Sequence, residues 1–301
     1  MKAAPFAYHR PDTVADAAQA LADLGDGAKV LAGGQSLIPM MALRLTAFDH
    51  LVDVGGIAEL RGVERRADAL WVGAATTESA VETDAAVAQC VPLLARATPL
   101  IGHLQIRNRG TLGGSIAHAD PAAEYPAAAR TLDAQMEVAS PAGRRTIAAS
   151  DFFESLWTTT MAPDEVLVGV SFPVWTGRTG FAVEELARRH GDFALAGAMV
   201  AIELDTDDRI RRCAIGLFGL GSVPERASAV EHDLLRRPVG DVNAREVGHL
   251  AVGGLPAVPD DLHAPARYRA KMGEVMAARA WEAAVGEALR GNDSDRGPGH
   301  A

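Results

Sequence analysis

Cysteine is nearly absent from this chain: Cys90 and Cys213 are the two among 301 residues, and they lie far apart. That excludes a disulfide framework, a cysteine-held zinc site and a cysteine-ligated iron–sulfur cluster within the chain, and it fits a reducing cytoplasm. Positive charge is also short. Lysine and arginine number 29 against 39 aspartates and glutamates, a net charge of −10, where a nucleic-acid binder needs a basic face. The arginine pairs at 144–145, 188–189, 211–212 and 236–237 are dispersed among acidic residues and read as solvated surface. No apolar run is long enough to span a bilayer, and the first residues lack a signal-peptide core. The expected setting is therefore the cytoplasm, with no nucleic-acid partner. Several motifs are missing too: no Gly-x-Gly-x-x-Gly follows the first strand, no lysine follows a glycine loop as in a P-loop, and there is no His-Glu-x-x-His. Gly113-Gly114-Ser115-Ile116-Ala117 fails as a nucleophile elbow, because Ala117 stands where the last glycine belongs. No catalytic acid, base or nucleophile and no metal ligand set is nominated.

What the chain does contain is two glycine-rich segments. In Val30-Leu31-Ala32-Gly33-Gly34-Gln35-Ser36-Leu37 a short apolar run reaches a Gly-Gly pair and then a hydroxyl residue; Gly110-Thr111-Leu112-Gly113-Gly114-Ser115 does something similar. Adjacent glycines admit positive φ, and such a turn can aim several backbone N–H groups into one concavity that holds an anion such as a pyrophosphate. Two such loops suggest two walls around one elongated phosphate-bearing ligand. Taken singly, each reads equally well as a tight turn that binds nothing.

Hydrophobic content of 48% and charged content of 23% are those of a globular protein, with length for two ordinary domains. Thr13 with Asp16 resembles a capping box, and Val14, Ala17, Ala18, Leu21 and Leu24 keep helical spacing up to Gly25. Strands are expected at Lys29–Leu31, His50–Val54, Leu70–Ala74, Gln135–Ala139, Arg144–Ala148 and Glu165–Phe172. Met40–Leu45 reads as a short buried segment, and Gly102–Gly110 as a polar approach to the second glycine loop. Helices are expected from Thr76 through Val87, over Val91–Thr98 and over Ala122–Leu132. Beyond a boundary near Trp175–Gly180, the segments Phe181–Leu186, Phe193–Leu204 and Ile210–Phe218 predict a three-stranded antiparallel meander. Helices follow at Pro224–Leu235, Asn243–Val252 and Pro265–Leu289, and the tail 291–301 reads as disordered.

The two glycine segments, with Gln105-Ile106-Arg107-Asn108-Arg109 leading into the second, resemble the FAD-binding medium subunit of the molybdenum hydroxylases. These include aerobic carbon monoxide dehydrogenase and the xanthine, nicotine and quinoline oxidoreductases. The likeness extends to Tyr8-His9-Arg10-Pro11, Gly191-Asp192-Phe193-Ala194 and Tyr268-Arg269-Ala270-Lys271-Met272. It implies an α+β fold. An FAD-binding domain of the vanillyl-alcohol-oxidase (PCMH) type would occupy 1–176, in subdomains of about 1–56 and 57–176. A C-terminal domain with a three-stranded antiparallel sheet and helices would occupy 177–290.

The resemblance also implies a cofactor and its contacts. FAD would be held by Leu31, Ala32, Gly33, Gly34, Gln35, Ser36 and Leu37 and by Thr111, Gly113, Gly114 and Ser115, through backbone N–H groups and the Ser36, Thr111 and Ser115 hydroxyls. His118, Asp120 and Glu124 follow the second loop where relatives contact the nucleotide. Ile101, Met161 and Phe193 match apolar or aromatic positions near the flavin. Three positions depart from the pattern: Ser115 replaces a frequent Asn, Gln35 stands where carbon monoxide dehydrogenases often carry His, and Glu124 where Asp is common. The implied role is electron transfer. A large partner would carry a molybdopterin cofactor, a small partner two [2Fe–2S] clusters, and the assembly would be a dimer of heterotrimers (a heterohexamer). The alternatives are a stand-alone flavin oxidoreductase and a non-catalytic nucleotide-binding assembly protein.

Overall fold

A computed structural model describes residues 2–291; apart from Gly291, the tail expected to be disordered lies outside the described residues. The chain forms two compact units. The first takes the chain up to Gln89 together with Gly102–Asp120 and Asp133–Pro173. The second takes Cys90–Ile101, Pro121–Leu132 and the chain from Val174 onward.

The first unit contains two main sheets. Ala7–His9, His50–Asp53 and Ala28–Leu31 form a parallel sheet with His50–Asp53 in the middle. The helix Val14–Leu24 supports it. The Thr13 hydroxyl accepts the Asp16 amide at 3.1 Å, Gly25 ends the helix at φ +63°, and Val14, Ala17, Ala18 and Leu21 are buried, as the spacing predicts. The second sheet is antiparallel, in the order Val63–Arg66, Ala69–Gly73, Val166–Pro173, Gln135–Ser140, Gly143–Ala148. Its edge strand Val63–Arg66, three-quarters charged, gives no hydrophobic pattern to find it by.

Two expectations in this unit need correction. The helix expected from Thr76 through Val87 is two helices, Glu78–Thr83 and Ala85–Cys90. Asp84 is extended between them, and its carboxylate accepts the Ala86 and Val87 amides at 2.8 and 3.0 Å, so a local cap outcompetes helix continuation. Met40–Leu45 is not a buried segment. The helix is Leu37–Ala42, only Met41 of it is buried, and Leu43 and Leu45 are 60% and 71% exposed.

The second unit is built on an antiparallel sheet of four strands rather than three: Arg178–Leu186, Ala196–Leu204, Ile210–Phe218 and the two-residue Glu225–Arg226. A strand so short carries no periodicity to read. Phe193 falls before the second strand rather than within it. The helix Ala266–Arg290 packs on this sheet, burying Met276, Ala277, Ala280, Trp281, Ala284 and Ala288 in one core with the strand residues. The approach is close because Gly180 has no side chain: a Cβ there would collide with the Ala284 carbonyl.

Replacing Gly180 with Val is expected to destabilise the second unit by about 3 kcal/mol or more, because the obstruction is helix backbone that cannot rotate away. Thermal unfolding against wild type checks this, and an unchanged midpoint would refute it.

Candidate cofactor site

The two glycine segments meet in the first unit. Leu31 ends the strand Ala28–Leu31, and Ala32–Ser36 form the turn that leads into the helix Leu37–Ala42. Gly34 has φ +73°, where a side chain is strained, and Gln35 Nε2 ties the turn by donating to the Gly33 carbonyl at 3.0 Å. A Cβ on Gly33 would overlap the Arg109 carbonyl, so the two segments touch backbone to backbone. The second segment is anchored from behind. Glu78 N donates to Gly110 O at 2.9 Å, Leu112 N to Thr76 O at 3.0 Å and Gly113 N to Ala74 O at 2.9 Å, and Gly113 leaves no room for a Cβ against Ala74.

The segments are chemically unequal. Among the described residues, the amides of Gly33, Gly34, Gln35 and Ser36 have no acceptor, and the Ser36 hydroxyl makes no capping bond. Such a run of free N–H groups around a glycine turn is an anion cradle. The second segment is not a loop. It is the first turn of the helix Leu112–His118, capped by Thr111, whose hydroxyl accepts the Gly114 amide at 3.0 Å. The amides of Leu112, Gly113, Gly114 and Ser115 all have protein acceptors. The expectation that both segments offer backbone donors is corrected to one: the second offers hydroxyls and a close-packed wall. Ser115 lies inside this helix, which also removes any nucleophile-elbow geometry.

A cleft of about 320 Å³ opens beside the contact, with Ala32, Gly33, Thr77, Asn108, Arg109 and Thr111 on its wall and Tyr8, Arg10, Asp53 and Arg61 around it. Free amides, side-chain-free walls and arginines fit a phosphate-bearing cofactor such as FAD.

Below Gly110 sits Glu78, which sequence reading missed. It is 4% exposed, and its carboxyl would lie 2.6 Å from a Cβ on Gly110. Burial pushes its pKa up to about 8, against a smaller opposing pull from Arg107. Arg107 is bound to Glu82 at 2.8 Å, so it does not neutralise Glu78, whose Oε2 has no hydrogen-bond partner. A charged residue at a helix start normally reads as solvated, and only the fold reveals that this one is covered.

At the far end of the Leu112–His118 helix, His118 and Asp120 are brought together by Trp157, also unsuspected from sequence. The indole stacks near-parallel on the His118 ring at 6.3 Å and donates from Nε1 to Asp120 Oδ2 at 3.1 Å. Trp157 adopts φ +56°, a strained conformation for a bulky residue, at a hairpin turn leading to Met161. Burial lowers the His118 pKa, outweighing Asp120, which keeps the ring neutral.

Ile101, Glu124 and Phe193 belong to the second unit. Glu124 is buried at the start of the helix Glu124–Thr131. It hydrogen-bonds Glu185, whose pKa burial raises to about 7. Phe193 is 58% exposed. Arg189 pairs with Asp192 at 3.1 Å on the surface. Cys213 is a buried thiol pushed up to about 12 by burial, too basic to react at neutral pH. Among the described residues no group of His, Cys, Asp and Glu could hold a metal ion, and no helix is long and apolar enough to cross a membrane.

The anion cradle and its glycine-backed wall define the class as a nucleotide-cofactor-binding α+β protein, and comparison with known proteins makes it particular. Residues 4–175 match the family described as "FAD binding domain in molybdopterin dehydrogenase", and residues 181–284 match the "CO dehydrogenase flavoprotein C-terminal domain". The chain belongs to the FAD-binding subunits of the molybdenum hydroxylases. It is 37% identical to the 6-hydroxypseudooxynicotine dehydrogenase complex subunit alpha of Paenarthrobacter nicotinovorans, over 93% of this chain and 94% of that one. It is 36% identical to the carbon monoxide dehydrogenase medium chain of Hydrogenophaga pseudoflava, over 93% and 96%. A solved structure of carbon monoxide dehydrogenase from the same organism superposes with a TM-score of 0.92, covering 95% of this chain and 99% of that chain.

Because Glu78 stays neutral in the folded chain while it ionises near pH 4.5 unfolded, its burial costs stability progressively as pH rises from about 4.5 to about 8. Glu78→Gln removes this dependence. Thermal unfolding at about pH 5 and about pH 8 should show the variant gaining several degrees on wild type at the higher pH, and an equal gap at both would refute the assignment.

Proposed function

We propose that this chain carries FAD in a molybdopterin-dependent hydroxylase or dehydrogenase, taking electrons from [2Fe–2S] clusters of a small partner and passing them to an external acceptor. The observation that carries the reading is the run of four unpaired amides, Gly33 to Ser36, beside a glycine-backed wall, in a chain aligned along nearly its whole length with subunits of such enzymes. A large molybdopterin-binding partner, assembly as a dimer of heterotrimers and a cytoplasmic location complete it. Exposed Ile38, Leu43 and Leu45, clustered in one short stretch, support association with partners. The two alternatives, a stand-alone oxidoreductase and an assembly protein, have no comparable observation in their favour.

The residues divide the work as follows. Gly33–Ser36 donate backbone N–H groups to the diphosphate, while Thr111 and Ser115 offer hydroxyls. Gln35 holds the turn in shape. Neutral His118, fixed by Trp157 and Asp120, presents a polar ring without adding a full charge, and Met161 contributes an apolar surface. Bound FAD supplies the exchange between single electrons from the clusters and the two-electron change of the acceptor; the protein supplies placement, electrostatics and access.

The purified chain, alone or with its partners, is expected to show a flavin spectrum, with FAD as the mass of the released cofactor. Gly33→Val should cut FAD retention about tenfold or more while circular dichroism stays native, because the side chain must displace the Arg109 backbone. A protein that neither carries nor takes up FAD would overturn the reading.

A further inference from the structure

The second unit holds a cavity that the cofactor reading does not use. It measures about 480 Å³, larger than the cleft at the glycine segments and within the roughly 300–1,000 Å³ of small-molecule sites. It lies where the helix Ala244–Gly253 begins beside the helix Ala266–Arg290. Val239, Val242 and Val285 give it apolar walls. Gly286 leaves one side bare, since a Cβ there would meet only the end of the Arg290 side chain, at 3.3 Å. Two N–H groups on this lining have no acceptor among the described residues. The first is the indole N–H of Trp281, a side chain 2% exposed and packed into the core of the unit. Its nitrogen is not sealed in protein as that of Trp71 is, so it opens on the cavity that Trp281 lines. A donor on an otherwise buried side chain needs an acceptor, and the cavity is where one can stand. The second is the Ala244 amide, the first of its helix. The Asn243 carboxamide takes the Arg245 and Glu246 amides at 2.9 and 3.3 Å, and the Asn243 carbonyl takes the Val247 amide at 3.0 Å. Ala244 keeps its N–H free at the positive end of the helix dipole. On the rim, exposed Arg245 and Glu282 cancel in charge, so preference is set by the two N–H groups and the valines.

We propose that this cavity binds a small organic monocarboxylate, with its carboxylate on the Trp281 and Ala244 N–H groups and its apolar body against Val239, Val242 and Val285. A carboxylate has two oxygens and accepts from both donors at once, and a negative charge is favoured at a helix N-terminus. Indole N–H and backbone N–H are donors only, so an ammonium group finds no acceptor in either. Glu282 on the rim opposes a second negative charge, which limits the ligand to a monoanion. The lining comes entirely from the second unit, so the site stands or falls independently of the cofactor assignment.

The test titrates the full chain with 3-phenylpropionate, its neutral amide and 2-phenylethylamine, reading the indole N–H resonances of the four tryptophans by nuclear magnetic resonance. The Trp281 resonance is assigned by its loss in Trp281→Phe. In wild type the carboxylate should move the Trp281 resonance saturably and leave that of Trp175, outside the cavity, in place. The amide should bind about tenfold more weakly, as expected when a charged acceptor is replaced by a neutral one. Two variants locate the site, with thermal unfolding to verify the fold. Trp281→Phe keeps a packed ring without the donor and should weaken carboxylate binding about tenfold, read from the remaining amide resonances. Gly286→Leu fills the cavity from a helix position that has room for the side chain and should abolish binding while the Trp281 resonance remains. An unmoved Trp281 resonance in wild type overturns the proposal. So does 2-phenylethylamine shifting it as far as the acid, or the amide binding as tightly. Carboxylate binding unchanged in both variants puts the probe elsewhere and overturns it as well.

Discussion

The site depends on one steric condition: Gly33 and the Arg109–Gly110 backbone occupy space that any side chain would deny them. Everything else is arranged around that contact. The strand Ala28–Leu31 delivers the first segment, and the pairing of Thr76–Glu78 with Gly110–Leu112 holds the second from behind. Leu112–His118 then begins at once, capped by Thr111, so the second segment has spent its amides on helix and anchor before any ligand arrives. The first segment has spent none. The asymmetry gives the clasp a donor wall and a rigid wall.

Charge around the clasp follows a consistent plan. Burial holds Glu78 largely protonated at neutral pH, so it does not repel a phosphate, while Asp53 stays in the cleft as an acceptor for Tyr8 and Gly55. His118 is held neutral. The cleft is lined by Asp53 together with Arg10, Arg61 and Arg109. An acidic chain thus builds a locally anion-receptive surface with backbone amides and selective burial rather than with net charge.

Much of this was legible in the residues. The Thr13 cap, the apolar face from Val14 to Leu21, the central strands of both units and the twin glycine segments all carry local signals, and the structure places them accordingly. The motif order from Ala32 to Ser115 identified the family. What escaped depended on tertiary contact. Nothing in Thr111-Leu112-Gly113-Gly114 says helix, since two glycines disfavour it; the cap and the packing of Gly113 on Ala74 override propensity. Asp84 read as an ordinary helix residue until its carboxylate claimed two amides. Glu78 and Trp157 look like surface residues in the sequence, because burial by Gly110 and strain at a hairpin turn are properties of the folded chain alone.

The interleaving of the two units has a consequence for synthesis. The chain passes between them five times, at Gln89–Cys90, Ile101–Gly102, Asp120–Pro121, Leu132–Asp133 and Pro173–Val174. Segments Cys90–Ile101 and Pro121–Leu132 therefore leave the ribosome long before the sheet and the Ala266–Arg290 helix that complete their unit. Vectorial folding, in which an N-terminal domain finishes before the next begins, does not apply to the second unit. Two apolar segments carrying Leu93, Leu94, Tyr125 and Ala128 wait until the strands they pack against, Arg178–Leu186, Ala196–Leu204 and Ile210–Phe218, emerge. For that interval the nascent chain exposes apolar surface that its finished form buries.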